Sequence, residues 1–575
     1  MTAVLETSSS ELDTALEELH AAAPRWAHLG ADEKAGLLLE VRATVHATAR
    51  VWAEAGANAK GVARTPIAGE EWVAGPWATL YAINRYVATL REIARSGAPA
   101  LPASRIRQRS DGQTVVDVFP GGLWDHVLLS GVKAEVWMEP GVTPATLAST
   151  MGIWYKETSH EPRVCLVLGA GNIAAIPPLD VLYKLVADGS VCLLKMNPVN
   201  AYLTPIFRTA LAPLIREGYL RIVDGGAPTG AYLTNHASVD EIHITGSDRT
   251  HDAIIWGTDG QADERKSRKA PLLAKSITSE LGNVSPTIVF PGKWSDADFD
   301  FQAQQIVTQK LHNDGFNCIA LQVLVLPKAW DGTAKLLSAI DATMKRVPPR
   351  PGYYPGAQSR RDAAAAHHPD AIAYDEAENG IVPRTIIHVD AHETMDMAVC
   401  VEAFAPVIAV VELDGDFDTY VHTAVDYANN QLWGTLGANL VAHPTTMKTH
   451  HAAFDAAVAA LRFGCVAINT WTGVGFLIAE TTWGAYPGHT LENIGSGLGV
   501  VHNSHLFSRA QKTVIHASFA PFPRSLFGYG GALLPKPPWF VTHRNAEKIG
   551  QLLCDFEVSH NPLLAANIAL LAMTG

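Results

Sequence analysis

The sequence has few cysteines, no long uncharged apolar run and a deficit of positive charge, and each shortage excludes a class of protein. Its 575 residues include 6 cysteines with no CxxC or zinc-ribbon spacing, so neither a secreted disulfide framework nor a cysteine-ligated zinc site is expected. No run of about 18 uncharged apolar residues is present, so no membrane-spanning helix is expected. The 44 basic and 57 acidic residues give a net charge of −13, which disfavours nucleic acid and anionic membranes as main partners.

Two further absences concern targeting and metals. The start of the chain, Met1 to Glu6, lacks a basic segment followed by an apolar block, so no signal peptide is expected. The 23 histidines show no HExxH or paired-ligand spacing, so no metal site is proposed. Free thiols in a reducing cytoplasm are the simplest interpretation. With 48% hydrophobic and 18% charged residues, the composition is that of a folded globular protein.

Short apolar runs alternate with helical stretches from residue 163 onward. The runs at 163–169, 190–195, 220–223 and 240–246 each end at a polar or glycine residue. This alternation predicts an α/β fold with a doubly wound parallel sheet and right-handed crossovers. Ligands on such sheets bind beyond the carboxyl ends of the strands, so the residues that follow these runs are candidates. A second α/β pattern runs from about 286 to 465.

Four residues carry chemistry that fits a site at those strand ends, although each also has a plainer interpretation. Cys318 follows a glycine-bearing turn, where main-chain N–H groups can stabilise a thiolate, but most cysteines are buried and inert. Glu280 precedes an apolar residue and a glycine, and it can equally be a surface charge. Asn172 ends the turn at 169–172 and can simply cap the next helix. Ser247 follows a strand, where main-chain N–H groups suit a pyrophosphate.

The order and spacing of these residues, with others, are more specific than any one of them. The series comprises His160–Cys165, Asn172, Lys195, Asp224–Thr229, Asp240–Ser247, Glu280–Gly282, Cys318, Glu402–Val407, Ala428–Asn430, Trp433–Gly434, Phe463–Asn469 and Trp483–Gly488. The chain therefore resembles the NAD(P)-dependent aldehyde dehydrogenase superfamily over residues 160–490. Outside that range, only length and order carry the resemblance.

The resemblance implies an aldehyde-dehydrogenase-like architecture with a Rossmann-type cofactor domain, an α/β catalytic domain and an oligomerisation arm. Residues 1–285 would form N-terminal helices and the dinucleotide-binding domain, and either residues 134–160 or the C-terminal segment would provide the arm. Residues 286–470 would form the catalytic domain, and residues 471–575 would return to the cofactor domain and add a C-terminal extension. Family members pair as dimers or tetramers, so a homodimer or homotetramer is expected.

The resemblance also implies a role for each matched residue in oxidising a small-molecule aldehyde to an acid. Cys318 would attack the aldehyde, with Asn172 and the Cys318 main-chain N–H as oxyanion donors, and Glu280 would activate the water that releases the acid. The residues implied to bind the cofactor are Lys195, Gly225, Gly246, Ser247, Glu402 and Phe404. Lys195 would bond the adenosine ribose, Ser247 and nearby amides would meet the pyrophosphate, and Glu402 and Phe404 would hold the nicotinamide end.

Several positions depart from the family pattern. His251 stands where the family usually has a second glycine, which puts close packing of the pyrophosphate in doubt. Pro198, three residues after Lys195, replaces the glutamate of NAD-preferring members, so the cofactor is left as NAD or NADP. Phe316 replaces a glutamine, Ala405 replaces a glycine, and the 169–171 turn is smaller than usual, which opens space beside the cofactor.

Two other functions remain open from the sequence. An acyl-CoA reductase or CoA-acylating dehydrogenase would use the same cysteine with CoA in place of water, and Glu280 argues against it. A non-catalytic scaffold on the same fold is the second alternative. Aromatic residues at 471–486 favour an apolar substrate, and the segment around Trp539 covers either an oligomer face or the substrate tunnel.

Overall fold

The computed structural model describes residues 6–575; Met1 to Leu5, on which the interpretation of the N-terminus partly rests, lie outside the described residues. The chain forms one six-stranded and one eleven-stranded sheet, with helices packed on their faces and a separate two-stranded ribbon. The predicted α/β class is confirmed. Within residues 6–575, no helix combines the length and apolarity needed to cross a membrane.

The six-stranded sheet is built from the runs that the sequence marked as strands. In spatial order its strands are Gly497–Leu498, Ser276–Glu280, Glu241–Thr245, Val164–Leu168, Val191–Lys195 and Leu220–Val223. Five are parallel, and Gly497–Leu498 is antiparallel at one edge. The central strands are buried on both faces, which explains their continuous apolar runs. Their carboxyl ends carry Lys195 and Glu280.

The helices that cross between these strands lie on both faces of the sheet. They are Ile176–Ala187, Thr204–Ala210, Ala212–Arg216, Ala227–Asn235, Asp248–Trp256 and Ala262–Ser267. The helix predicted over 204–217 is broken into two, because Leu211 leaves helical geometry just before Pro213.

The eleven-stranded sheet holds the second α/β pattern and one strand, Lys133–Met138, of the segment predicted as the arm. In order its strands are Ile106–Gln108, Thr114–Phe119, Lys133–Met138, Ala510–His516, Cys465–Ile468, Gly437–Val441, Ser285–Val289, Leu321–Pro327, Val407–Leu413, Thr385–His388 and Ile372–Ala373. Lys133–Met138 pairs antiparallel with Ala510–His516 of the same chain. The ribbon consists of Thr482–Gly484 and Val500–His502.

The remaining helices lie at the two ends of the chain and around the large sheet. They are Ser9–His28, Ala31–Ala59, Gly69–Trp72, Ala78–Ser96, Leu123–Leu128, Asp296–Leu311, Gly332–Arg346, Ala357–Ala365, Met397–Cys400, Phe417–Asn430, Pro444–Thr449, His451–Ala460, Gly473–Leu477, Ala546–Ser559 and Pro562–Met573. The first pair and the last pair both join the core of the six-stranded sheet. Residues 471–575 are therefore divided, with a strand in each sheet and helices beside the N-terminal ones.

Candidate active site

A cavity of about 1170 Å³ lies beyond the carboxyl ends of the six-stranded sheet, where the two sheets face each other. Eight of the nine predicted site residues line it: Asn172, Lys195, Gly246, Ser247, Glu280, Cys318, Glu402 and Phe404. The ninth, Gly225, lies one residue behind the wall, and its neighbour Gly226 lines the cavity. An added Cβ at Gly225 would lie 2.3 Å from Thr229 Oγ1, so this glycine is required by packing.

Cys318 lies where this cavity meets a second, narrow one of about 40 Å³. Cys318 and Asn172 line both spaces, and the Cys318 side chain is half-buried. The narrow cavity is walled mainly by apolar and aromatic side chains, among them Trp471, Phe476 and Trp483. A sulfur atom in this position faces a large polar space on one side and a small apolar space on the other.

Glu280 ends strand Ser276–Glu280 and is almost completely buried beside Cys318. Burial raises the pKa of Glu280 to about 7, and the charge of Asp180 adds to the shift while the Cys318 thiol and the Trp483 indole oppose it. Its Oε1 accepts no hydrogen bond from any group in residues 6–575. A carboxyl with a pKa near neutrality and a free oxygen is suited to act as a general base.

The turn before Cys318 was expected to stabilise the thiolate and so to lower the pKa of the thiol, but this pKa is raised. Burial raises this pKa well above its ordinary value, and the negative charge of Glu280 raises it further. The main-chain N–H of Cys318 lowers the pKa, as its position after a turn predicts, but this is the smaller effect. The thiol is therefore protonated at neutral pH, and a base has to remove its proton before it can attack.

Glu402 faces Glu280 across the glycine of the Glu280–Gly282 motif. An added Cβ at Gly282 would lie 2.1 Å from Glu402 Oε2, which explains why this motif needs a glycine. Glu402 accepts a hydrogen bond from the Asn283 main-chain N–H at 3.2 Å, and burial raises its pKa to about 8. Glu402 therefore presents a hydrogen-bonding carboxyl to the large cavity with little net charge at neutral pH.

Asn172 is fixed to the loop that carries Cys318. Its Nδ2 donates to the Phe316 carbonyl at 2.9 Å, and its carbonyl accepts a bond from Asn313 Nδ2 at 3.1 Å. The following helix begins at Ile176 with no side-chain cap, so the capping role considered for Asn172 is wrong. Asn313, Asp314 and Gly315 all have positive φ, a strained conformation that Asn, Asp and Gly tolerate best. The sequence Asn-Asp-Gly thus sets the tight turn that presents Cys318.

The far end of the large cavity offers groups suited to phosphates and a sugar. Ser247 caps the nine-residue helix Asp248–Trp256 and accepts a bond from Thr250 N at 3.2 Å, so the exposed helix N-terminus opens into the cavity. The Lys195 ammonium makes no hydrogen bond to any described residue, although the side chain is largely buried and its pKa is lowered by burial. A largely buried ammonium that makes no hydrogen bond on a cavity wall is suited to bind a ligand.

The comparisons with known proteins agree with this geometry. A sequence profile described as the aldehyde dehydrogenase family matches residues 158–479, more than half of the chain.

The chain belongs to the aldehyde dehydrogenase family.

Individual members of the family are distant from this chain. An aldehyde dehydrogenase of Enchytraeus buchholzi is 33% identical over 175 residues, covering 28% of this chain and 30% of that protein. The chain thus aligns with about a third of the length of such curated relatives. An NAD-dependent aldehyde dehydrogenase from Sinorhizobium meliloti superposes with a TM-score of 0.60 at 17% identity, over 89% of this chain and 88% of that one. Aldehyde dehydrogenase C from Pseudomonas syringae, complexed with NAD+ and octanal, gives 0.57 at 18% identity over 90% of each chain.

The departures from the aldehyde dehydrogenase pattern are accommodated without blocking the cavity. His251 is fully buried on the inner side of helix Asp248–Trp256 and does not line the cavity, so the predicted interference with the pyrophosphate is not seen. Phe316 packs against Tyr353 with ring centroids 5.1 Å apart and supports Phe404 from behind. The small turn at 169–171 lines the cavity and leaves it wide.

The structure also locates the other cysteines and the C-terminal segment of this family member. Cys165, Cys192 and Cys465 are buried in strands, as expected for core cysteines. Trp539, in the C-terminal segment, lines the narrow cavity beside Cys318. In the part of the chain that is described, no cluster of three or more His, Cys, Asp or Glu side chains is arranged to hold a metal ion.

A buried ionic cluster beneath the catalytic loop was not found by sequence reasoning. Lys60 pairs with Glu71 at 2.8 Å and donates to the Asn172 carbonyl and to Asn313 Oδ1, each at 3.1 Å. Glu70 accepts from the Asn313 main-chain N–H at 2.9 Å and pairs with Arg350 at 2.8 Å. Residues 60–71 thereby hold the two turns beside Cys318, one at 169–172 and the other at 313–315. The local signal of this structural role in the sequence is the pair of adjacent glutamates, Glu70 and Glu71, in an otherwise apolar segment.

We expect Lys60→Met to destabilise the protein by about 3–5 kcal/mol, because it leaves Glu71 charged and unpaired in the interior. The double variant Lys60→Met/Glu71→Leu should regain part of this loss, since it removes both charges. Thermal and urea unfolding of the single and double variants measure the difference. A single variant as stable as the parent would contradict the importance of the ion pair.

Proposed function

We propose that the protein is an NAD(P)-dependent aldehyde dehydrogenase that works through a covalent intermediate on Cys318. The observation that carries this proposal is the position of Cys318 at the junction of two cavities, with Glu280 beside it on the wall of the larger one. One cavity is large and polar enough for a dinucleotide, and the other is small and apolar.

The groups around the large cavity fit a nicotinamide dinucleotide. Lys195 would bond the adenosine ribose, the N-terminus of helix Asp248–Trp256 would meet the pyrophosphate, and Glu402 would bond the nicotinamide ribose. Phe404 has a φ of 42°, a strained value that is held by Arg360 bonds to the Ala403 and Phe404 carbonyls at 2.9 and 3.1 Å. When bound, the oxidised nicotinamide accepts a hydride from the substrate carbon.

The first half-reaction joins the aldehyde to Cys318. The Sγ–H proton passes to the Glu280 carboxylate as sulfur forms a bond to the carbonyl carbon, and the carbonyl electron pair moves onto oxygen. The remaining N–H of the Asn172 amide and the main-chain N–H of Cys318 are the available donors for this oxyanion. Each such donor contributes about 3 kcal/mol of transition-state stabilisation. Loss of hydride from that carbon leaves a thioester on Cys318.

The second half-reaction releases the acid. Glu280 first releases to solvent the proton that it took from Cys318, and it then takes a proton from water as the water oxygen bonds to the thioester carbon. The C–S bond breaks, and Glu280 returns its proton to the departing Cys318 sulfur. The free Oε1 of Glu280 is the acceptor for the proton from water. The net reaction converts aldehyde, oxidised cofactor and water into carboxylic acid, reduced cofactor and a proton.

The narrow cavity favours a slender apolar aldehyde. Its wall includes Val73, Val474, Leu477 and Trp539. His312 is its main ionisable group apart from Cys318, and burial lowers the pKa of His312, so its ring is neutral. The Pseudomonas syringae relative is complexed with octanal, an aldehyde of this kind.

The geometry of the site argues against the two other functions that the sequence left open. A CoA-dependent enzyme does not need a general base for water beside its cysteine, whereas Glu280 is held there at an energetic cost of burial. A scaffold without catalysis has no reason to keep Lys195 unpaired and Glu402 buried on the wall of an open cavity.

We also propose the division at residues 285 and 470 into cofactor and catalytic domains, with a return at 471–575. The family resemblance supports a homodimer or homotetramer, which light scattering distinguishes from a monomer. All six cysteines are free thiols, which supports a reducing cytoplasm as the location.

A panel of aldehydes, with NAD or NADP and with or without CoA, tests the function. We expect reduction of the cofactor with straight-chain apolar aldehydes, no requirement for CoA, and much lower kcat/KM for aldehydes that carry a charge near the carbonyl. Turnover that depends on CoA would favour the acylating alternative. Binding of neither dinucleotide would favour the scaffold.

A further inference from the structure

The N-terminal segment carries a carboxylate to residues 226–229, some of which line the large cavity. Glu6 Oε1 accepts a hydrogen bond from Gly226 N at 2.9 Å, and Glu6 Oε2 accepts one from Thr229 Oγ1. Thr7 fixes the segment, since its N–H donates to the Asp224 carbonyl at 3.1 Å and its Oγ1 accepts from Asp224 N at 3.1 Å. Glu6 is thus held at the start of helix Ala227–Asn235.

This carboxylate lies beside the lysine that the proposed function assigns to the ribose. Glu6 and Lys195 interact electrostatically, each favouring the charged form of the other. Gly226, the bonding partner of Glu6, lines the same cavity wall as Lys195. A lysine on the cavity wall and a carboxylate that bonds to the same wall therefore interact, although they are 189 positions apart in sequence.

The segment that follows Lys195 supplies no carboxylate of its own. Residues 196–203 contain no acidic residue, and Pro198 is exposed in the turn. Asp224 is the other acidic residue that acts on Lys195, but it is buried and already accepts a bond from Thr204 Oγ1 at 2.5 Å. Glu6 is exposed, so it is the carboxylate that a bound ligand can reach.

The chemistry of a carboxylate at this place distinguishes the two dinucleotides. An ionised carboxylate offers about four acceptor positions, and Glu6 uses two. The hydrogen bonds from Thr229 and Gly226 lower the pKa of Glu6, so it is ionised at neutral pH. It can accept hydrogen bonds from a ribose diol, whereas a 2′-phosphate would bring like charges together.

We propose that Glu6 is a specificity-determining residue that makes the enzyme prefer NAD over NADP. This inference rests on the proposed function, because it needs a dinucleotide in the large cavity. The N-terminal segment would thus supply, from outside the sheet, the charge that the loop after Lys195 lacks.

Isothermal titration of the full chain, carrying no N-terminal tag, with NAD and with NADP tests the proposal. The parent should bind NAD at least about tenfold more tightly than NADP, and Glu6→Gln should reduce that ratio about tenfold, mainly by tightening NADP. The effect should shrink between 0.1 and 1 M salt, where the screening length falls from about 10 to 3 Å. Glu17→Gln is the matched control, because it removes the same charge from an exposed site on the neighbouring helix and should leave the ratio unchanged.

Each other outcome overturns the proposal in its own way. An unchanged ratio in Glu6→Gln means that Glu6 does not contact the ribose. An equal gain for both dinucleotides means that Glu6 competes with the ribose for Lys195 and does not discriminate. If the parent binds neither dinucleotide, the proposed function fails, and this inference fails with it.

Discussion

Replacing Cys318 with serine is expected to lower aldehyde turnover by about 10⁴-fold or more, because the covalent bond to the substrate can no longer form on a good nucleophile and leaving group. The side chain lies at the junction of the two cavities, and its volume changes little, so the cavity for the dinucleotide is unaltered. Titration should therefore give the same dinucleotide affinity as the parent. Absorbance of the reduced nicotinamide measures turnover.

Cys400 is the matched control for this substitution. It is also half-buried and lines the large cavity, but its Sγ donates to the Met395 carbonyl at 3.6 Å and no carboxyl in the role of Glu280 adjoins it. Cys400→Ser should keep turnover within about twofold of the parent, since a mild polar change at a cavity wall costs little. Substantial turnover in Cys318→Ser, or its loss in Cys400→Ser, would contradict the assignment of the nucleophile.

The parts of the site that lie at strand ends were predictable from the sequence. Lys195 and Glu280 each close a short apolar run, and parallel strands bring their carboxyl ends to one edge of the sheet. The Asn-Asp-Gly turn before Cys318 was only a weak signal, and Cys318 was recognised from its place in the ordered series of motifs. For Lys195 and Glu280 a local pattern fixes both the element and the place where its side chain emerges.

The groups that the sequence did not reveal come from distant helices and segments without a local signal. Lys60 and Glu6 act through contacts across more than 100 residues, and their own neighbours in sequence resemble those of any surface helix. The protonated state of Cys318 was also hidden, because it depends on burial and on Glu280 from another sheet. Long-range packing decides these properties, and a single sequence does not record it.

Glu280→Gln is expected to slow both half-reactions, because the same carboxyl takes the Cys318 thiol proton and later the water proton. The first equivalent of reduced nicotinamide should form slowly, and steady turnover should fall by about 10²–10⁴-fold, the range for loss of a general base. The parent should gain activity as the pH rises through about 7, because the ionised carboxyl is the active form and burial holds its pKa there. The variant should lack that rise, and rapid-mixing kinetics across pH measure both effects.

Stability measurements separate this catalytic role from a structural one. The folded-state pKa of Glu280 lies above its ordinary value of 4.5, so ionisation opposes folding once the pH exceeds 4.5. Glu280→Gln should match the parent in stability below pH 4.5 and exceed it, by on the order of 3 kcal/mol, above pH 7. Glu241 is the control, since it lies at the opposite end of the neighbouring strand, where it accepts a bond from Ser190 Oγ at 2.7 Å. Glu241→Gln should keep the parent's turnover and pH profile. A Glu280→Gln variant that is less stable at every pH would instead make this carboxyl a structural anchor, because only a bond lost on substitution costs stability independently of ionisation.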